Sequence, residues 1–440
     1  MRFRRVNPVL PVLAQGFLSA GQIGVTVVGT LVMAPDDWGV FAILLSVFFV
    51  ANGFVRGFGT LPLLTRTAGD ADDAGASRGA ALLMSMLSAV PAGAVIVIVS
   101  AAVSAASTGW ILAAALVTYS FYDCVRSAEL ASNRALRVAV SDAVLMLILL
   151  SGSAIAALVP VDTGSALAAA MAIAYGLMAY ALARQAPVPV PRTLRAFFIE
   201  HRRDMFFFAA DGVLMGLSIT VFVLVLGSTT SLAAAGAFRT AATTIAGPLQ
   251  MVLTGLMPLV IARARADARQ RTGARALQLP LLLTGVAATA GVVWGGAASL
   301  LAASLSPRGE LGVFGHALTL GLPACALIVG LWSASAVSSC LRYHCTSAEL
   351  TAVRVATFGC SAAILWLGPS VPGTTPWSVV LSAAIPWLVL PNVYALGRLA
   401  IPRPVHRATG LARTRATRRA VEALPGGAAV QEGGRGQADG

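Results

Sequence analysis

PDDWGVFAILLSVFFVANGFVRGFGTLPLLTR, residues 35–66, is the stretch on which the reading of this chain turns. An acidic turn and a tryptophan lead into an apolar run long enough for a membrane span, which needs about 20 residues to cross about 30 Å of hydrocarbon. One arginine, Arg56, stands inside that run. A charge at that depth costs free energy against lipid, so it needs either a route to the headgroups or something to face.

The rest of the chain has the same character. Of its 440 residues, 57% are hydrophobic and 11% charged, with a mean hydropathy of +0.81. A soluble domain carries about 25% charged residues. The composition therefore excludes an ordinary soluble protein and predicts an all-α integral membrane protein. Hydropathy places twelve helices, at 9–33, 39–64, 79–104, 109–126, 138–159 and 165–183, then at 205–227, 233–262, 277–304, 316–341, 352–368 and 377–399. Residues 1–183 form a first six-helix bundle and 205–400 a second, joined by a Pro-rich, basic cytoplasmic linker at 184–204. A basic tail at 401–440 has too little apolar surface to fold. The basic N-terminus resembles the start of a signal peptide, but its apolar segment runs on to Met33 without a small-residue cleavage pattern and reads as a retained span.

All 31 basic residues are arginine and the net charge is +13. Threading the twelve helices back and forth puts every arginine on one side except Arg308 opposite and the embedded Arg56 and Arg239. By the positive-inside rule that side is the cytoplasm, which puts both termini there in the cell membrane. The charge is thus topology, and no nucleic-acid partner is required. Trp38, Trp110 and Trp377 begin helices at the opposite side, where indoles settle at the interface.

The two halves echo one another. Ala14-Gln15-Gly16 aligns with Ala210-Asp211-Gly212, Gly39-Val40-Phe41 with Gly236-Ala237-Phe238, and Ser127-Ala128-Glu129-Leu130 with Ser347-Ala348-Glu349-Leu350. Six helices separate the copies, so both insert the same way, as in parallel repeats whose substrate site lies between two bundles on an axis along the membrane normal.

Embedded charges mark the candidate site. Arg56, about 17 residues or roughly 25 Å into its helix, lies in the inner half, either snorkelling to the headgroups or facing a cavity. Arg239, among Gly, Ala and Thr, suits a bundle interior. Asp123 and Arg126 are spaced as a structural i,i+3 pair. Asp142 and above all Asp211 are the candidate ion-coupling carboxylates, with a contact to Arg56 as the other explanation of Asp211. Pro91, Pro248, Pro258, Pro323, Pro386 and Pro391 imply bends. The five cysteines are odd in number and form no disulfide framework. Cys340, His344 and Cys345 match no zinc module, so no metal site is expected. No catalytic constellation and no cofactor motif occurs, and the short outer loops disfavour a glycosyltransferase, polymerase or ligase.

Pro35-Asp36-Asp37-Trp38-Gly39-Val40-Phe41-Ala42 with its late arginine resembles the signature after the first helix of Wzx-type polysaccharide flippases. These belong to the MOP (multidrug/oligosaccharidyl-lipid/polysaccharide) exporter superfamily. Ala235-Gly236-Ala237-Phe238-Arg239, followed by Pro248 and Leu256-Met257-Pro258-Leu259, is similar to the eighth helix of that family. The resemblance covers about residues 8–400 as architecture. It implies a V-shaped cavity between the bundles that alternates between the two membrane faces. The implied cargo is a polyprenyl-diphosphate-linked glycan, carried by its head group with its tail left among the membrane lipids. Glycosyltransferases or a polymerase of the same pathway would be partners. Arg56 and Arg239 fall where related lipid II flippases meet the diphosphate; Gln15 and Gln22 stand in the first helix where those proteins carry charges, and the two extra C-terminal helices of those proteins are missing. Two other readings stand beside this one: a MATE-like multidrug exporter driven by protons or sodium, and a non-transporting scaffold of a glycan-assembly complex.

Overall fold

A computed structural model describes residues 9–62, 74–131, 134–159, 162–183, 191–270, 273–305, 312–341 and 345–400. The described residues are almost entirely helical and contain no strand. The first half comprises α1 (Val9–Val32), α2 (Pro35–Phe58), α3 (Ala74–Ala102), α4 (Ala106–Ala131), α5 (Ala135–Ala156) and α6 (Thr163–Ala183). The second half comprises α7 (Pro191–Thr229), α8 (Leu232–Thr240), a π-helical turn (Ala241–Ile245), α9 (Gly247–Gln270), α10 (Gly273–Leu305), α11 (Gly312–Thr319), α12 (Gly321–Leu341), α13 (Ser347–Leu367) and α14 (Pro376–Ala400). Among the described residues eleven helices are long and apolar enough to cross a membrane, or twelve spans with the bent α8–α9 pair taken as one. The chain is a multi-pass membrane protein.

Local chemistry explains several boundaries that hydropathy misplaces. Pro35 takes the first position of α2 and Asp36 and Asp37 its first turn, where the missing N–H costs nothing and the carboxylates meet the positive end of the helix dipole. The helix therefore starts four residues ahead of its apolar run. In the same way α7 starts at Pro191, inside the expected linker 184–204, of which 184–190 lie outside the described residues. The tail at 401–440 and Arg308 also lie outside them. Thr346 opens α13 with a capping box, its hydroxyl accepting from the Glu349 amide and Glu349 accepting from the Thr346 amide.

The bundles meet along matching seams. α2 packs on α7, and α1 on α9. Gly53 and Gly212 bring the α2 and α7 backbones together: a Cβ on Gly212 would lie 2.3 Å from the Gly53 carbonyl oxygen, and one on Gly53 would lie 2.4 Å from that of Gly212. On the other seam Gly16 abuts Met251 and Gly255 abuts Val12. Gly16 and Gly212, aligned in the first repeat match, each sit on a seam between the bundles. Gly39 and Gly236 also correspond, Gly39 lying against the Leu232 backbone and Gly236 against the Trp38 ring. The third match fails: Ser127–Leu130 lies at the end of α4, whereas Ser347–Leu350 begins α13.

Trp38 departs from the sequence expectation too. Trp110 and Trp377 are exposed, but Trp38 is fully buried. Its Nε1 donates to the Gly236 carbonyl (3.1 Å) and to Thr240 Oγ1 (3.1 Å), and the Thr30 and Thr240 hydroxyls are 2.9 Å apart. This indole closes the space between the bundles at their arginine-poor end.

The eighth span is not one helix. Pro248 has no N–H for the carbonyl four residues back and its ring crowds that carbonyl. The chain answers with the π turn at Ala241–Ile245 and a 53° bend between the helices either side. Indole donors from neighbouring helices serve carbonyls along the broken span: Trp294 of α10 at Ile245 (2.8 Å) and Trp332 of α12 at Leu253 (2.6 Å). Irregular backbone at membrane depth survives only where such partners exist.

Candidate functional site

Between the two bundles lies a cavity of about 470 Å³ walled by α1, α2, α6, α7, the broken α8–α9 span and α12. It starts beneath the Trp38–Gly236 contact, at the level of Thr26 and Arg239, and extends to Leu61, Ile261 and Ser339 near the arginine-rich end. Its surface is mostly apolar, with a few polar groups converging on it, the usual make-up of a ligand site.

Four of the residues singled out from the sequence line this space: Gln22, Arg56, Asp211 and Arg239. Two do not. Gln15 turns into the first bundle, where its Oε1 accepts from Arg126 Nη2 at 3.3 Å. Asp142 is fully buried in that bundle. Arg126 Nε donates to both of its oxygens, at 2.9 and 3.1 Å, and the Tyr122 hydroxyl donates to Oδ1.

The Asp123–Arg126 pair suggested by i,i+3 spacing is accordingly replaced by two others. Tyr122 and Arg126 are four residues apart on one face of α4, and both reach Asp142 on α5. Asp123, about 100° round the helix from Tyr122, faces α2 instead. There its Oδ2 lies 3.0 Å from Arg56 Nε. The Arg56 side chain is 39% exposed and that of Asp123 3%, so the arginine fronts the cavity and the carboxylate backs it. Arg56 lines the cavity wall with its guanidinium paired to Asp123.

The second bundle repeats this with the signs exchanged. Asp211, on α7, is paired with Arg354 of α13, Oδ1 to Nε 2.9 Å. Asp211 is 23% exposed and Arg354 1%, so here the carboxylate is in front. Arg354 Nη2 donates to Ser335 Oγ (3.2 Å) and Nη1 to Met215 Sδ (3.3 Å), and the guanidinium carbon sits 5.8 Å from the centre of the Trp387 ring. Counting Arg354 among the loop arginines is therefore a misreading corrected by its burial within the second bundle. Its position was legible in Thr346-Ser347-Ala348-Glu349, a capping sequence that starts the helix well before its apolar run.

Arg239 has a different environment. It is 7% exposed, and its guanidinium carbon lies 4.8 Å over the Phe49 ring. Its Nε is buried without a hydrogen-bond partner. Asp123, Asp142 and Asp211 are each paired with another arginine. A cation–π contact offsets about 2 kcal/mol when desolvated, while a charge at the centre of a membrane costs about 2.5–3.5 kcal/mol or more. Asn52, overlooked in the sequence, sits one turn before Arg56 and lines the same cavity with its Oδ1 buried and unpartnered. The cavity thus presents a surplus positive charge and amide groups to whatever enters. Among the described residues no three His, Cys, Asp or Glu side chains are grouped so as to hold a metal ion.

No family model matches the sequence, and no curated protein matches it. Solved structures do resemble it in fold. One is a MOP superfamily transporter from Pyrococcus furiosus, described as having a binding pocket of reverse polarity; it is 14% identical with a TM-score of 0.66, over 89% of this chain and 94% of that one. A eukaryotic MATE transporter is 13% identical, TM-score 0.63, over 94% and 97%. An inward-facing multidrug resistance MATE family transporter of the MOP superfamily is 12% identical, TM-score 0.57, over 95% and 97%. At such identities the likeness shows the fold: that of MATE and MOP superfamily transporters.

Proposed function

We propose that this chain is an alternating-access flippase for an anionic amphiphile, a polyprenyl-diphosphate-linked oligosaccharide or similar envelope precursor. The observation that carries this reading is Arg239, a buried fixed cation in the cavity wall that makes no ion pair with a carboxylate among the described residues. A diphosphate supplies what it lacks, because a guanidinium offers several donors in a rigid fork that matches phosphate oxygens. Arg56, Gln22 and Asn52 line the same space and add donors for the head group. The arginine-rich end is the cytoplasmic one, by the positive-inside rule, so the cavity described here is the loading state, closed outward at Trp38.

The test is export in a strain deleted for this gene and complemented with variants. Arg239→Gln is expected to cut glycan export tenfold to a hundredfold, the loss of a charged hydrogen bond of about 1.5–3 kcal/mol, at normal protein level in the membrane. Full export by Arg239→Gln combined with Arg56→Gln overturns the assignment.

The MATE-like reading, a cation-coupled exporter of drugs, has one observation in its favour: Asp211 does reach the cavity. Its carboxylate is engaged by Arg354, however, so it has little attraction left for a cationic drug. Hypersensitivity of the deletion strain to cationic dyes, relieved by the wild type and not by Asp211→Asn, is the result this second reading requires.

A further inference from the structure

We propose that Arg354 is a tethered counter-cation: it permanently fills a cation site that Asp211, Ser335 and Met215 would otherwise form in the wall of the cavity. Those three residues line the cavity itself. Behind them Arg354, 1% exposed, places its guanidinium against the Asp211 carboxylate, the Ser335 hydroxyl, the Met215 thioether and the Trp387 ring face. The carboxylate, the hydroxyl oxygen and the aromatic face each attract a cation, and the thioether is a weak acceptor that suits a guanidinium N–H; here the cation is part of the chain. An arginine in a protein does not give up its proton, so the occupant can neither titrate nor diffuse away. Two consequences follow. Asp211 is a positioned structural anion rather than a carrier of sodium, and the second bundle works without binding a free cation at this place. The buried charge also sets cavity polarity: with Asp211 compensated from behind, Arg239 remains the uncompensated charge that an entering molecule meets.

Purified full-length protein is heated in detergent while the cation is varied at constant ionic strength. The wild type is expected to unfold at the same temperature in sodium chloride and in choline chloride. Arg354→Ala leaves an anionic hole of guanidinium shape. It is expected to unfold at a lower temperature and to regain stability saturably with millimolar ethylguanidinium, against a sodium chloride control. Arg354→Ala combined with Asp211→Asn is expected to show no such rescue. Should Arg354→Ala fail to accumulate, Arg354→Lys and Asp211→Asn carry the test: both are expected to remain indifferent to sodium. A saturable sodium-dependent stabilisation of the wild type that Asp211→Asn abolishes overturns the proposal. So does an Arg354→Ala protein that folds but gains no more from ethylguanidinium than the double variant.

Discussion

At the scale of single residues, the way Arg56, Arg126, Arg239 and Arg354 are matched with Asp123, Asp142 and Asp211 does most to define the site. Arg126 and Asp142 are both buried, with Tyr122 completing the carboxylate's hydrogen bonds. Removing one partner strands the other charge in the bundle, a loss of about 3–5 kcal/mol, whereas replacing both by apolar residues of similar size is often close to neutral. Asp142→Asn is therefore expected to lower the unfolding temperature markedly in a detergent thermal scan, and Arg126→Met with Asp142→Leu to lower it less. A double variant as unstable as Asp142→Asn would show that the pair is needed for more than charge balance. The sequence showed that these charges lay within the helices but not which carboxylate each arginine meets. Spacing along α4 favours Asp123 with Arg126, and only packing reveals that Arg126 turns to α5 while Asp123 turns to α2. Arg354 was hidden for a different reason: the apolar run 352–368 leaves it at the helix end, where it reads as a cytoplasmic-side charge, whereas the helix begins at Ser347 and carries it about two turns inside.

Among the elements, the broken eighth span and the glycine seams carry the architecture. The break was half legible, since Pro248 marks a bend; the π turn ahead of it and the indole donors that sustain it come from helices far away in the chain. Trp294→Phe keeps the ring and removes the donor, leaving the Ile245 carbonyl without it. An expected cost of about 1–3 kcal/mol should appear as a lower unfolding temperature, with normal insertion into the membrane. At the α2–α7 seam a side chain at Gly212 collides with the Gly53 backbone, which cannot yield as a flexible side chain would. Gly212→Val is expected to cost about 1–3 kcal/mol or more by overpacking and to reduce the yield of folded protein. Gly285, with open space around it, serves as the control: Gly285→Ala should be tolerated.

For the whole molecule, an all-helical chain of eleven or twelve spans among the described residues was legible from hydropathy, because that is a coarse property summed over many residues. The closure at the arginine-poor end was not, because a tryptophan at a helix start reads as an interfacial anchor until its partners are known. Thr30 and Thr240 face each other across that closure, their hydroxyl oxygens 2.9 Å apart. In a background with the native cysteines replaced, Thr30→Cys with Thr240→Cys is expected to form a disulfide that stops transport and to release it on reduction. Unchanged transport by the oxidised protein would mean that the bundles need not part here. Carriage of a lipid-linked anion across the membrane is measured in proteoliposomes. The measurement is the rate at which a polyprenyl-diphosphate oligosaccharide becomes accessible to a membrane-impermeant probe on the opposite leaflet. The wild type is expected to speed this well above protein-free vesicles and Arg239→Gln to fall back towards them; a wild-type rate no faster than that of protein-free vesicles contradicts the account.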